Sequence, residues 1–323
     1  MQVSSPRNAW KERIVNSLGL LVALAGLIGF FSFKADHFLT VQNFSAIANQ
    51  IPDAAILAIG MTYVLLIGGI DLSVGSIVGV GGSLLGLALL QWHLPLGIAI
   101  PLCLASGALI GFLNGFLTVK FALPSFIVTL GMLEAGRGLA YLLTNSQTQY
   151  IGKSVERISS ANVAGLTLPF FLALFLAIVA QIVLQRTTFG RHVLAVGSNE
   201  EAARLSGIAV KKVKVVVFSL CGLMAATASI INVSRLASAD PNGGTGYELQ
   251  AIAAVVIGGT SLLGGRGSVI GSVFGVLIIA VLGNGLAGMG AQEPHKRLIT
   301  GLVILLAVIF DMYRSRLAQR REQ

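Results

Sequence analysis

The sequence predicts an all-α integral membrane protein with about ten transmembrane helices and with both termini in the cytoplasm. Of its 323 residues, 55% are hydrophobic and only 11% are charged, whereas an ordinary soluble domain has about 25% charged residues. The mean hydropathy of +0.85 points the same way. The 39 glycines are spread through the apolar runs, where they favour close contact between helices in lipid. A soluble protein with a thick core does not fit this composition.

Ten apolar runs are candidate spans, since a transmembrane helix needs about 20 mostly apolar residues. As one straight helix, the second and third runs together would be about 60 Å long, which is about twice the thickness of the hydrocarbon core. The chain must therefore turn, and a broken or short helix is predicted near residues 68–76, with another near 257–268. The ten runs are 17–33, 51–70, 73–90, 95–118, 123–143, 164–184, 213–233, 248–264, 268–290 and 296–312.

The basic residues predict the orientation of these spans. With the N-terminus inside, most of the 22 lysines and arginines fall in cytoplasmic segments, in agreement with the positive-inside rule. The fifth run, 123–143, is the weakest because it contains charged residues. Removing it would place the basic loop 185–214 outside, so the charge distribution supports ten spans within one domain covering residues 1–323.

Three features of the chain exclude other classes of protein. The basic residues are not clustered with aromatic residues, so the net charge of +9 does not indicate a nucleic-acid surface. Cys103 and Cys221 both lie inside apolar runs, so a disulfide framework is not expected. The apolar run after the polar segment 1–16 lacks a cleavage site and is interpreted as a retained span rather than a signal peptide.

Two glycine-rich stretches resemble each other. One reads IGGIDLSVGSIVG from Ile67 and the other reads IGGTSLLGGRGSVIG from Ile257. Both are expected at cytoplasmic turns between consecutive spans. An ancient duplication would explain the similarity, because transporters often contain internal repeats. Glycine-rich apolar text also matches by chance, so both explanations stay open.

No catalytic constellation and no metal-ligand spacing are apparent. The phosphate-binding pattern GxxxxGK[ST] does not occur, so any nucleotide hydrolysis would belong to another chain. The four histidines lie in separate loops and are His37, His93, His192 and His295.

The basic loop 185–214 contains a pattern typical of a short helix. Ser198 followed by Glu201 is a capping box, and Gly207 is suited to end a helix, so a helix is predicted near residues 199–206. It would be either an ordinary surface helix on the bilayer or a docking helix for a groove in a partner. The residues expected to dock are Ser198, Glu200, Glu201, Arg204, Leu205 and Gly207.

Charged residues within the predicted spans are a second group of candidate functional residues. Glu134 and Arg137 are three residues apart on one helix face, so they are expected to form an intramembrane ion pair or to line a polar pathway. Asp71 lies at the predicted break, where it would contact a substrate through unwound backbone or cap the next helix.

Neutral hydrogen-bonding residues outnumber the charged ones within the apolar runs. Each of them could simply join neighbouring helices. As a set, they suit a neutral polyol substrate better than an ion. They are Asn114, Thr129, Asn232, Thr260, Ser261 and Asn284. The residues expected along the substrate pathway are Asp71, Asn114, Thr129 and Asn232.

Four long motifs resemble the ribose-type permeases of bacterial ABC importers. The similarity extends in order over nearly the whole chain and is closest from Gly190 onward. The motifs are GGIDLSVGS at 68–76, PSFIVTLG at 124–131, GRHVLAVGSNEEAARLSGI at 190–208 and GTGYELQAIAAVVIGGTSLLGGRG at 244–267.

This resemblance implies a ten-span permease that pairs with a second copy in the bacterial inner membrane and transports a monosaccharide, with ribose as the first expectation. It also implies a periplasmic sugar-binding protein and a separate cytoplasmic ATPase that binds ATP and Mg²⁺. The permease itself would be no enzyme and would hold no cofactor. The helix near 199–206 would couple the ATPase to the spans.

Two other functions are compatible with a polytopic membrane protein. An ion-coupled secondary transporter of small polar solutes would need ionisable residues placed for coupling, and only Asp71, Glu134 and Arg137 qualify. An enzyme acting in the membrane would need a nucleophile, an acid–base pair or a metal set, and the sequence offers none.

Overall fold

The computed structural model describes residues 6–320, with side-chain surroundings defined for 18–303 and for residues 305, 306 and 309. Within this part of the chain, fourteen α-helices are joined by short connections and by four strands of two residues each. The helices are α1 (Pro6–Lys34), α2 (Val41–Gln50), α3 (Pro52–Leu66), α4 (Val74–Leu90), α5 (Leu96–Lys120), α6 (Ser125–Thr144), α7 (Lys153–Ser160), α8 (Leu168–Arg186), α9 (Thr188–Ser198), α10 (Glu200–Leu205), α11 (Val210–Leu236), α12 (Tyr247–Ile257), α13 (Val269–Gly288) and α14 (Glu293–Arg320).

The four short strands form two small antiparallel pairs near the ends of helices. Strand β1 pairs with β4, and β2 pairs with β3. The first pair joins the connection after α6 to the connection after α11, and the second forms the turn that leads into α8. The strands are β1 (Gln149–Tyr150), β2 (Asn162–Val163), β3 (Leu166–Thr167) and β4 (Ser238–Ala239).

Five of the described helices are long and apolar enough to cross a membrane: α5, α6, α8, α11 and α13. A sixth span results if α2 and α3 are counted as one helix bent by 47°, with Pro52 at the start of its second half. Helices α4 and α12 and the segment Leu18–Lys34 of α1 are apolar but shorter. The prediction of an all-helical membrane protein is confirmed, whereas the number of ten spans stays a prediction.

Both predicted helix breaks are present. The first separates α3 from α4 at residues 67–73, where Gly68 has φ +73°, a conformation that glycine adopts without strain. The second separates α12 from α13 at residues 258–268. Its Gly259, with φ +85°, follows the end of α12, so the helix stops at Ile257 and the predicted eighth span, 248–264, is too long.

Helices α3 and α11 form the centre of the bundle. Nearly all of α3 is buried, and α11 packs against α3, α4 and α5. The approach to α5 is possible because both helices carry glycines, and a Cβ on Gly107 would lie only 2.5 Å from the carbonyl oxygen of Gly222. By contrast, α5 and α8 turn large apolar side chains such as Phe112 and Phe175 outward, as helices in contact with lipid do.

Candidate functional site

The first glycine break holds Asp71 inside the helix bundle. Its side chain is completely buried, and Oδ1 accepts hydrogen bonds from the backbone N–H and the hydroxyl of Ser73, at 2.9 and 2.6 Å. Because Ser73 is the N-cap residue of α4, the carboxyl group forms an Asx turn that leads into this helix. This geometry resembles the capping role that the sequence offered as one alternative.

Side chains from α5 and α6 complete this cluster. Asn114 Nδ2 donates to Ser73 Oγ at 2.8 Å. The hydroxyl of Thr129 accepts from the backbone N–H of Leu72 at 3.1 Å, and that of Ser125 accepts from the N–H of the residue preceding Asp71 at 2.9 Å. The side chains thus bind backbone donors that the break leaves without helix partners, which a membrane interior requires.

The structure therefore brings together three of the four residues predicted along the pathway. Asp71, Asn114 and Thr129 are fully buried, so none of them lines an open route in this conformation. Asp71 Oδ2 and Asn114 Oδ1 have no hydrogen-bond partner among the described residues. Both atoms are acceptors, so the cluster can receive hydrogen bonds from a donor such as a hydroxyl group.

Asn232, the fourth residue predicted along the pathway, belongs to a different cluster. Its Nδ2 donates to the hydroxyl of Tyr247 at 3.1 Å, and that hydroxyl lies 3.3 Å from Asp53 Oδ2. Arg235 pairs with the same carboxylate at 2.8 Å. The sequence analysis did not predict this pair. A signal was present, since the two residues have opposite charges and lie at the outer ends of two predicted spans.

The predicted ion pair between Glu134 and Arg137 is not formed. Arg137 Nη1 instead donates to the carbonyl oxygens of Pro241 and Gly243, at 2.6 and 3.0 Å. Glu134 is exposed, and no ion pair found within the described range involves it. The irregular connection between α11 and α12 has carbonyl groups without helix partners, and a guanidinium group with five donors can satisfy several of them.

The basic loop contains two helices, α9 and α10, where one was predicted. The N-cap of α10 is Asn199, whose Oδ1 accepts from the N–H of Ala202 at 2.9 Å. Ser198 was predicted as the cap, but it ends α9 and its hydroxyl donates to the carbonyl of Leu194 at 2.8 Å. The capping prediction is wrong by one residue because the backbone first becomes extended at Asn199. Gly207 has φ +82° beyond the last turn, as expected of a helix stop.

Helix α10 presents a charged and apolar surface to its surroundings. Arg204 pairs with Glu201 at 2.5 Å, and this hydrogen bond lowers the pKa of the Glu201 carboxyl below its usual value. Glu200 pairs with Lys214 of α11 at 2.6 Å, which ties α10 to a spanning helix. Leu205 is 75% exposed. Single exposed leucines are common on protein surfaces, so the docking role of this helix stays a prediction.

A small cavity of about 170 Å³ lies between the first break and the basic loop. Gly68 and Gly69 line it on one side, and Lys214, the partner of Glu200, lines it on another. The buried hydroxyl of Thr118 in its wall has no hydrogen-bond partner among the described residues. The cavity therefore adjoins the break directly, and Lys214 connects its wall to α10 through the pair with Glu200. In the region for which side chains are defined, no group of three or more His, Cys, Asp or Glu could hold a metal ion.

Comparison with known proteins assigns most of the chain to a single family model. Residues 43–308 match the model described as branched-chain amino acid transport system / permease component. No solved structure matches the chain significantly.

Curated relatives cover almost the full chain. It is 40% identical over 296 residues to the ribose import permease protein RbsC of Escherichia coli (strain K12), covering 90% of this chain and 92% of the relative. Identity to RbsC of Bacillus subtilis (strain 168) is 38% over 310 residues, or 94% and 95% of the two chains. Identity to the L-arabinose ABC transporter permease protein AraH of Azospirillum brasilense is 36% over 313 residues, or 96% and 91%.

Proposed function

Because this chain belongs to the family of branched-chain amino acid transport system permease components, we propose that it is the membrane-spanning subunit of an ATP-driven ABC importer for a monosaccharide. The observation that carries this proposal is identity of 36 to 40% over at least 90% of the chain to relatives named for ribose and L-arabinose. Ribose is the proposed first substrate, moved from the periplasm to the cytoplasm across a bacterial inner membrane.

The proposed topology has ten spans with both termini in the cytoplasm, forming one transmembrane domain over residues 1–323. Helices α3, α4 and α12 are shorter than an ordinary span, but they lie inside the bundle, where they need not match the bilayer thickness individually. The positive-inside rule supports this orientation, because it puts the loop with α9 and α10 in the cytoplasm.

The proposed contact with the ATPase is α10 and its ends. The exposed side chain of Leu205 would enter a groove of the ATPase, and the pairs of Glu200 and Glu201 would hold the helix in place. The ATPase would bind ATP and Mg²⁺, whereas the permease would bind neither. The full proposed contact set is Ser198, Glu200, Glu201, Arg204, Leu205 and Gly207.

A second copy of the chain and a periplasmic sugar-binding protein are the other proposed partners. Two-fold dimers are the commonest oligomers, and the outward apolar faces of helices such as α5 and α8 offer surfaces for lipid or for a second copy. The sugar route would run beside the Asp71 cluster. Asn232 would lie toward the outer end of that route, on the side of the binding protein.

An uptake experiment tests the proposal. The chain is produced with its ATPase and sugar-binding protein in cells that lack ribose uptake, and entry of labelled ribose is measured. We expect uptake that requires all three proteins and that stops when the ATPase carries an inactivating substitution in its phosphate-binding loop. Uptake that instead follows an ion gradient and ignores this substitution would establish the ion-coupled alternative.

A further inference from the structure

Three segments that are distant in sequence meet through their backbones at one point. They are the end of α3 at Leu66, the end of α9 at Gly197 and Ser198, and the second glycine break at Gly264 and Gly265. The N–H of Gly265 donates to the carbonyl of Leu66 at 2.9 Å, which joins the second break directly to the helix that precedes the first. We call these five residues the glycine joint.

No side chain fits between the three segments of the glycine joint. A Cβ on Gly197 would overlap the carbonyl oxygen of Leu66 and would lie 2.5 Å from the nitrogen of Gly265. A Cβ on Gly264 would lie 2.8 Å from the carbonyl oxygen of Gly197. Real Cβ atoms essentially never approach other atoms within 3.0 Å, so each glycine is required by the contact itself.

The glycine joint lies between the proposed ATPase contact and both breaks. Ser198 is followed by Asn199 and then by α10, so a displacement of α10 reaches Gly197 within two residues. On the other side, Leu66 leads into the first break and its buried Asp71, and Gly265 belongs to the break that leads into α13. Backbones in direct contact have no side-chain rotamers with which to absorb a displacement, and packed protein interiors transmit strain.

We propose that Gly197 is a positioning residue that transmits movement of α10 to both glycine breaks at once. This inference rests on the proposed function, in which α10 is the ATPase contact. It also gives the similarity between the two glycine-rich stretches a role, because movement of α10 would then displace both breaks together through Gly197.

A pair of glycine substitutions tests this role in the complete importer. In Gly197→Ala the added methyl group separates the segments, so we expect ATP hydrolysis and complex recovery to persist while ribose uptake falls about tenfold, within the usual range of coupling between sites. The matched control is Gly283→Ala, also within a helix, whose added Cβ has no atom within 4 Å. Its uptake should equal that of the unchanged protein, and unchanged uptake in Gly197→Ala would overturn the proposal.

Hydrogen exchange in the unmodified complex decides the question even if Gly197→Ala fails to assemble. Exchange is followed by mass spectrometry with and without ATP, in peptides covering 64–72 and 258–268. We expect ATP to change exchange in both segments together. A change confined to α10, with both breaks unaffected, would overturn the role of Gly197. An ATPase that never co-purifies with the unmodified chain would instead refute the proposed function.

Discussion

Arg235 at the end of α11 reaches Asp53 in the first turn of α3, with Nη2 of the arginine 2.8 Å from Oδ2 of the aspartate. The carboxylate is almost fully buried, and the guanidinium group is about a third exposed. Tyr247, at the start of α12, directs its hydroxyl at the same carboxylate oxygen. One buried carboxylate therefore holds together the ends of three helices, joining α3 to the consecutive helices α11 and α12.

Removing one member of this pair should destabilise the protein. Arg235→Gln leaves the Asp53 carboxylate buried without its cation, and we expect a loss of about 3 kcal/mol, at the lower end for buried pairs because the arginine is partly exposed. Thermal unfolding of the purified protein measures the loss. The control is Glu293→Gln, which breaks the more exposed pair with Lys296 and should cost far less, because exposed ion pairs contribute little to stability. Equal losses in the two variants would show that the pair of Asp53 and Arg235 contributes no more to stability than an exposed ion pair.

The contacts of Arg137 predict independent behaviour of the two charges on α6. Arg137→Ala should lower the membrane yield, because the carbonyls of Pro241 and Gly243 lose a charged donor worth about 1.5–3 kcal/mol. Glu134→Ala should leave the effect of Arg137→Ala unchanged, since no ion pair in the described part of the chain joins the two side chains. In a double-mutant cycle the two effects should add. Recovery of yield in the double variant would instead support the ion pair that the sequence suggested.

The hydroxyl group of Thr129 should contribute more to the stability of the protein than the volume of its side chain does. Thr129→Val keeps the shape but leaves the N–H of Leu72 unsatisfied, which costs about 1–3 kcal/mol for a buried donor. Thr129→Ser keeps the hydroxyl and should lose less. The matched control is Thr227→Val in α11, whose hydroxyl bonds only to a carbonyl of its own helix. Unfolding temperatures of the variants test this order, and equal temperatures for both valine variants would contradict it.

The burial of the Asp71 cluster predicts how it responds to nucleotide. Single cysteines at Asp71, Asn114 and Thr129, with Cys103 and Cys221 replaced, should resist a small water-soluble thiol reagent without nucleotide, because all three positions are buried. ATP should raise their reactivity as the route opens. Thr188→Cys, which is exposed at the start of α9 and lies outside the proposed ATPase contact, reports reagent access throughout. Protection at all three positions in every nucleotide state of an active complex would place the route elsewhere.

Leu205 should be required for coupling to the ATPase. Leu205→Asp puts a charge where an apolar contact is proposed, so we expect uptake to be abolished while the chain still inserts into the membrane. Thr188→Asp adds the same charge to an exposed residue at the start of α9, where a helix N-terminus tolerates an acid, and is the control, with uptake retained. Co-purification of the ATPase is measured alongside uptake. Normal uptake in Leu205→Asp would remove α10 from the proposed interface.

Local chemistry explains which features could be predicted from the sequence. The apolar composition alone determined a helical membrane protein, because lipid requires every backbone group to be bonded within the segment. Glycines and Asp71 determined the first break, and Gly207 determined the end of α10, since a positive φ is a property of a few adjacent residues. Resemblance to a known family, borne by long motifs, supplied the class of transporter.

Only the tertiary structure decided which groups meet. The partners of Arg137 are carbonyls more than 100 residues away, and no local pattern indicates where an irregular connection leaves carbonyl groups unpaired. The cap of α10 moved from Ser198 to Asn199 because α9 continues through Ser198. Nothing in the local sequence distinguishes Gly197 from the other glycines of the apolar segments. Its role depends on the backbones of Leu66 and Gly265, which only the packing of α3 and α9 against the second break brings into contact.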